Sequence, residues 1–187
     1  MNGKKFFKFR LYFTGIITIF IWTLLVWDYY HGGVPSHHIL ARKDLPEFSN
    51  WWGGLIIPLL TWFLSYRVKK RAIKEKDENS QTSKFPINIL YGFSAALFYG
   101  MILSAFFTFG NTEIPGYMMM AIILLGLFLP IYRAECILGF VLGMTFTFGA
   151  ILPTIAGSVL ALIAFLIYQF IRPGILFVRS MLAVNRQ

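Results

Sequence analysis

The long apolar stretches of this sequence lack acidic, basic and histidine side chains altogether. Six of them contain no Asp, Glu, Lys, Arg or His: residues 11–27, 51–66, 86–109, 117–132, 136–152 and 155–171. Ionisable groups inside a bilayer are costly and usually mark proton relays or ion pathways. The sequence therefore disfavours a proton-coupled transporter with a carboxylate at the bilayer midplane.

Charge and cysteine are scarce in the chain as a whole. Charged residues make up 13% of the 187 residues, whereas a soluble domain usually carries about 25%. The single cysteine, Cys136, lies within an apolar stretch. An intrachain disulfide is thereby excluded, and cysteine usage does not indicate a redox compartment.

The apolar stretches predict an all-α integral membrane protein. Residues 11–27 predict a helix of 17 residues, which at about 1.5 Å per residue is just long enough to cross a hydrocarbon core of about 30 Å once its interfacial flanks are added. We expect a single domain over residues 1–187 that folds as a bundle of six transmembrane helices. Pro153 and Thr154 interrupt the last apolar region, so residues 136–171 form either two full spans or a re-entrant pair.

The distribution of basic residues predicts the topology. Four cytoplasmic segments would hold 15 of the 17 Lys and Arg residues: residues 1–10, the 67–84 loop, Arg133 and the 172–187 tail. The opposite side holds only Arg42 and Lys43. By the positive-inside rule both termini are cytoplasmic and the 28–50 loop is extracytoplasmic, in what we expect to be a bacterial inner (plasma) membrane.

The basic residues also bear on partners. The net charge is +9, but its placement fits an anchor against the lipid bilayer and not a nucleic-acid surface, so no nucleic-acid partner is expected. The 67–76 run is interpreted as part of this anchor. The tight turn at residues 132–135 predicts a local ion pair between Arg133 and Glu135.

Small residues recur at helical spacing in three of the predicted spans. Close helix contacts in lipid depend on such residues, so we expect them to form seams within the bundle. The alternatives are a homo-oligomer interface and a pore lining. The stripes consist of Gly92, Ala96, Gly100 and Ser104, then Gly139 and Gly143, and finally Gly157, Ala161 and Ala164.

The 28–50 loop between the first two spans is the predicted functional site. It holds all three histidines of the chain, His31, His37 and His38, together with Asp28. Gly32 and Gly33 allow a reversal that would bring His37 or His38 back over Asp28 and His31. Imidazoles with a carboxylate are ligands suited to Zn²⁺, so these four residues are the candidate metal site.

Two further carboxylates of this loop, Asp44 and Glu47, are the candidate catalytic residues. Either could act as general base, as an additional ligand or as a partner that orients a ligand. The spacing matches no metal signature such as HExxH. The alternatives are exposed histidines in an ordered interfacial loop and a pH sensor, because imidazole titrates near neutrality.

Three functions follow from these patterns. The first is a membrane enzyme or metal-binding protein that acts at the outer interface on a lipid or envelope substrate. The second is a small oligomeric transporter or channel without buried charges. The third is a non-catalytic membrane subunit or scaffold that holds a partner through the loop.

Overall fold

The computed structural model describes residues 3–34, 36–38, 47–78, 87–111 and 113–174. These residues form six helices and one small antiparallel ribbon. The helices are α1 (Gly3–Tyr30), α2 (Gly53–Glu78), α3 (Ile87–Thr108), α4 (Glu113–Phe128), α5 (Ala134–Phe148) and α6 (Ile151–Leu166), and α6 continues as a π-helical turn over Ile167–Ile171. Strands β1 (Ser36–His38) and β2 (Glu47–Ser49) pair antiparallel in the connection between α1 and α2.

Three helical segments are long and apolar enough to cross a membrane: Phe6–Tyr30, Ile87–Thr108 and Ile151–Gly174. Helices α4 and α5 are apolar but shorter, with 16 and 15 residues. Helix α2 is apolar in its first half and strongly charged in its second. The predicted class, a helical membrane protein, is supported by the three long segments.

Helix α5 is the centre of the fold. It contacts α2, α3 and α6. Its buried side reaches from one end of the helix to the other and consists of Glu135, Leu138, Gly139, Phe140, Val141, Gly143, Met144 and Thr145. The shortest of the six α-helices, α5, is thus the best shielded, because its neighbours enclose it.

Helices α3 and α5 run parallel and approach each other closely through glycine. A methyl group on Gly139 would collide with the carbonyl oxygen of Phe93, and one on Gly143 would collide with that of Leu97. On the facing helix, a methyl group on Gly100 would lie 2.7 Å from the Phe140 carbonyl oxygen. Two of the predicted small-residue stripes therefore meet within one chain, where backbone lies directly against backbone.

Helices α1 and α2 form an antiparallel pair with specific contacts near both of its ends. At the N-terminal end of α1, Arg10 donates from Nε to the Trp62 carbonyl at 3.1 Å and lies over the Trp62 ring, 3.5 Å from its centroid. At the other end, Leu25 packs against Gly54. Such a guanidinium–indole stack combines a cation–π attraction with burial of the arginine stem.

The break between α5 and α6 lies earlier than the sequence predicted. The turn consists of Gly149 and Ala150, and Pro153 lies buried in the first turn of α6, where its missing N–H costs no helical hydrogen bond. Gly149 has φ 69° and ψ −167°, and its α-carbon faces the side chain of Asn50. The α5–α6 turn therefore packs against Asn50, the last residue of the 28–50 loop.

Candidate functional site

His31 is held in a defined orientation just beyond the end of α1. Its ring stacks on Trp27 with centroids 3.9 Å apart and planes inclined by 14°, and its Nδ1 lies 2.9 Å from the Trp27 carbonyl oxygen. A carbonyl only accepts, so Nδ1 carries the proton of that hydrogen bond. In the neutral ring the lone pair is then on Nε2, which is exposed with the rest of the side chain.

The remaining residues of the predicted metal site are only partly described. Asp28 lies in the last turn of α1, and its carbonyl oxygen accepts from the amides of His31 and Gly33. His37 and His38 lie on β1, where His38 is in register with Glu47. The side chains of His37, His38 and Glu47, and all of Asp44, lie outside the described residues.

Among the described side chains, no three His, Cys, Asp or Glu residues are grouped so as to hold a metal ion. Of Asp28 and His31, the two predicted ligands whose side chains are described, only His31 has the hydrogen bond expected of a metal ligand. A metal-binding histidine usually donates the N–H of its other ring nitrogen to a carbonyl or carboxylate, as His31 Nδ1 does to Trp27. A zinc site in the loop and catalytic roles for Asp44 and Glu47 remain predictions.

A second polar site lies at the opposite end of the fold, at the start of α5. Glu135 is 2% exposed, and its Oε1 forms an ion pair with Arg71 of α2. Its other oxygen, Oε2, is buried and accepts no hydrogen bond from the part of the chain that the structure describes. The predicted ion pair between Arg133 and Glu135 is wrong. Helix α2 packs against α5, so Glu135 pairs instead with Arg71, which is 64 residues away in the sequence.

Glu135 lines a cavity of about 310 Å³ enclosed by α3, α4, α5 and α6. Most of the wall is apolar, with Ala96, Ile122 and Phe140 among its members. Polar groups occur at few positions, chiefly Asn88, Arg133 and Glu135. A mostly apolar hollow with a few grouped polar atoms is typical of a binding site for a small organic ligand.

The cavity opens between α3 and α4. Its exposed lining residues include Ala95 on α3 and Leu125 on α4, whereas those contributed by α5 and α6 are buried or half-buried. The two helices meet where the Tyr99 hydroxyl donates to the Met118 carbonyl at 2.7 Å. Both sides of the opening are apolar segments, so a membrane around them would supply lipid to it directly.

The importance of Glu135 was not predicted from the sequence. It precedes the 136–152 stretch by one residue and so counts as part of a polar turn. The available signal was weak: an acidic residue between a predicted cytoplasmic turn and a span with two glycines four apart. Only the approach of α2 and α3 shows that this carboxylate is buried.

Comparison with known proteins identifies no relative. No family model matches the sequence, and neither the curated proteins nor the solved structures yield a match.

Proposed function

We propose that this protein is a six-span membrane protein that binds a lipid in the cavity between α3, α4, α5 and α6. Both termini and the 67–84 loop would face the cytoplasm, and the 28–50 loop would lie outside. The alternation of helix directions supports this topology, since α1 and α2 are antiparallel while α3 and α5 are parallel. The membrane would be the plasma membrane of a bacterium.

The observation that carries the lipid proposal is the half-satisfied carboxylate in an apolar wall. A buried carboxylate oxygen without a donor costs free energy, and Oε2 of Glu135 is in that state. A ligand that brings a donor to Oε2 and an apolar chain to the rest of the cavity would remove this cost. An amphiphile from the surrounding bilayer has both parts.

The test is lipid retention in the purified protein. Native mass spectrometry would count phospholipids bound during a titration of the wild type, of Ala95→Trp at the cavity opening, and of Ala105→Trp. Ala105 lies on the same helix, is exposed and does not line the cavity. We expect bound lipid in the wild type and in Ala105→Trp, and a loss in Ala95→Trp. Equal lipid binding by the two tryptophan variants would contradict the proposal.

Reaction of Cys136 with a thiol reagent provides a second measure of whether the cavity is occupied. Cys136 lines the cavity and is the single cysteine of the sequence. Bound lipid should slow its alkylation by N-ethylmaleimide, in proportion to the occupancy measured by mass spectrometry. An alkylation rate independent of added lipid would argue that the cavity stays unfilled.

A zinc site at the outer end of α1 is a second candidate function, favoured by the hydrogen bond from His31 Nδ1 to Trp27. It would use Asp28, His31, His37 and His38 as ligands, with Asp44 or Glu47 as general base toward a lipid or envelope substrate. Zinc content would be compared between the wild type and a variant carrying His31→Ala, His37→Ala and His38→Ala. Equally low zinc in both would exclude this function.

A further inference from the structure

The polar residues of the cavity are of complementary kinds and lie at one end of it. Arg133 and Glu135 are two residues apart at the start of α5, and Asn88 lies in the first turn of α3. Near them, Gly92 of α3 lies against the side chains of Glu135 and Cys136. This end of the cavity thus offers a cation, an anion and an amide, while the rest of the wall is mainly apolar.

The anionic group requires a donor. Oε1 of Glu135 pairs with Arg71, and the buried Oε2 has no hydrogen-bond partner among the described residues. A carboxylate oxygen binds an N–H or O–H donor most strongly when the donor carries positive charge. A primary ammonium meets this requirement with three N–H donors, whereas a quaternary ammonium has none.

The cationic group suits an oxyanion. Arg133 is half-buried at the wall of the cavity, and no acidic side chain pairs with its guanidinium in the part of the chain that the structure describes. Guanidinium groups bind phosphate by paired, charge-assisted hydrogen bonds. A phosphate beside Arg133 and an ammonium beside Glu135 would place a zwitterion along the polar end of the cavity.

We infer that the ligand is a phospholipid whose phosphate carries a primary ammonium, that is, one of the phosphoethanolamine type. This inference rests on the proposed lipid-binding function and specifies its headgroup. The phosphate contacts Arg133, the ammonium contacts Oε2 of Glu135, and an acyl chain occupies the apolar part of the cavity. By the proposed topology the headgroup belongs to the cytoplasmic leaflet, since Arg71 and the charged second half of α2 lie at the same end of the fold as Glu135.

The experiment compares headgroups at constant acyl chains. Phosphatidylethanolamine, phosphatidylcholine and phosphatidylglycerol would be titrated separately against the full chain, with bound lipid counted by native mass spectrometry and Cys136 alkylation as a second readout. Free phosphoethanolamine, which lacks the chains, distinguishes a lipid site from a site for the headgroup alone. We expect half-saturation by phosphatidylethanolamine at a concentration about tenfold below those of the other lipids, and no protection by free phosphoethanolamine.

Two variants test whether Arg133 and Glu135 cause the preference for phosphatidylethanolamine. Arg133→Gln should raise the half-saturating concentration of phosphatidylethanolamine by about tenfold, with Arg67→Gln as a control, because Arg67 is an exposed cation of α2 outside the cavity. Glu135→Gln should abolish the discrimination against phosphatidylcholine. If Glu135→Gln alone fails to fold, the double variant Arg71→Gln, Glu135→Gln removes both charges and leaves no unpaired ion.

The outcomes separate the two proposals. Equal binding of all three lipids, or a preference for phosphatidylglycerol, would overturn the headgroup assignment and leave lipid binding intact. Protection by free phosphoethanolamine would overturn the lipid assignment in favour of a soluble phosphoamine. Binding of none of the ligands would overturn both the headgroup and the lipid-binding function.

Discussion

Arg71 and Glu135 join the charged half of α2 to the first turn of α5, and Glu135 is almost fully buried in that pair. Arg71 is the more exposed partner, with 23% of its side chain accessible. A buried ion pair is a weak source of net stability, but the loss of one partner leaves an uncompensated charge in a poorly polarisable environment. The pair therefore acts mainly as a constraint on how α2 and α5 dock.

Removal of Arg71 should destabilise the protein strongly. Arg71→Gln leaves Glu135 buried without its cation, which in comparable pairs costs about 3–5 kcal/mol. The midpoint of thermal unfolding in detergent should fall well below that of Arg67→Gln, which removes an exposed charge from the same helix. Adding Glu135→Gln to Arg71→Gln should restore part of the loss. A double variant no more stable than Arg71→Gln alone would show that the charge of Glu135 is not the cause.

Methyl groups on the glycines of α5 should separate it from α3. In Gly139→Ala and Gly143→Ala the new methyl group meets a backbone carbonyl of α3, which has no rotamer by which to yield. We expect each variant to lose about 1–3 kcal/mol of stability, as for other overpacked sites. The controls are Gly15→Ala and Gly116→Ala, where nothing lies within 4 Å and the better helix propensity of alanine favours the variant.

Thermal unfolding of the four glycine variants would be measured side by side. Gly139→Ala and Gly143→Ala should unfold at lower temperature than the wild type, and the controls at the same or a higher temperature. An unchanged midpoint for Gly143→Ala would mean that α3 and α5 are further apart than the structure shows.

Substitution of Gly149 should disturb the α5–α6 turn for two reasons. Its backbone conformation is accessible almost only to glycine, so alanine there costs about 1–3 kcal/mol, and the new methyl group would also collide with the side chain of Asn50. Gly110→Ala is the control, since Gly110 has φ 81° but open space around it. Asn50→Ala should relieve the collision in Gly149→Ala and leave the backbone strain.

A double-variant cycle over positions 50 and 149 measures this coupling as a change in the free energy of unfolding. Independent effects of the two substitutions would contradict a direct contact between Asn50 and Gly149.

Labelling from outside the cell should reveal the proposed sidedness. Ser36→Cys, introduced together with Cys136→Ser, places a thiol at an exposed position of the first loop. A membrane-impermeant maleimide should modify it in intact cells. Ser80→Cys in the same background falls in the segment 67–84 that the sequence predicts to be cytoplasmic, and it should react only after the cells are permeabilised. The reverse pattern would invert the topology and place the Glu135 end of the cavity in the outer leaflet.

Much of the helical architecture was predictable because it depends on local pattern. Apolar runs without charge identified segments that the structure shows as α1, α3 and α6, and glycines four residues apart identified the close seam on α5. The boundary between α5 and α6 was not predictable from Pro153. Proline is tolerated in a first helical turn, and the chain reverses at Gly149, where the backbone conformation requires glycine.

Of the two candidate sites, the sequence predicted the histidine loop but not the cavity. His31 was identified from its residue type, and the structure adds the hydrogen bond and the stacking on Trp27 that orient it. The cavity was not identified, because its walls come from four helices whose apolar residues resemble any others in a membrane span. No spacing in the sequence distinguishes Ala95 at the opening from Ala105 outside it.

By itself, the sequence determined that this chain is helical, with segments long and apolar enough to cross a membrane, and that acidic, basic and histidine side chains are excluded from its long apolar stretches. Hydrophobic length and charge placement act locally, and the membrane selects for both. Only the tertiary structure decided that Glu135 is buried, that Arg71 is its partner and that a cavity lies beside them. Those features depend on helices distant in sequence meeting through small residues, and which seams meet is set by the packing of the whole bundle.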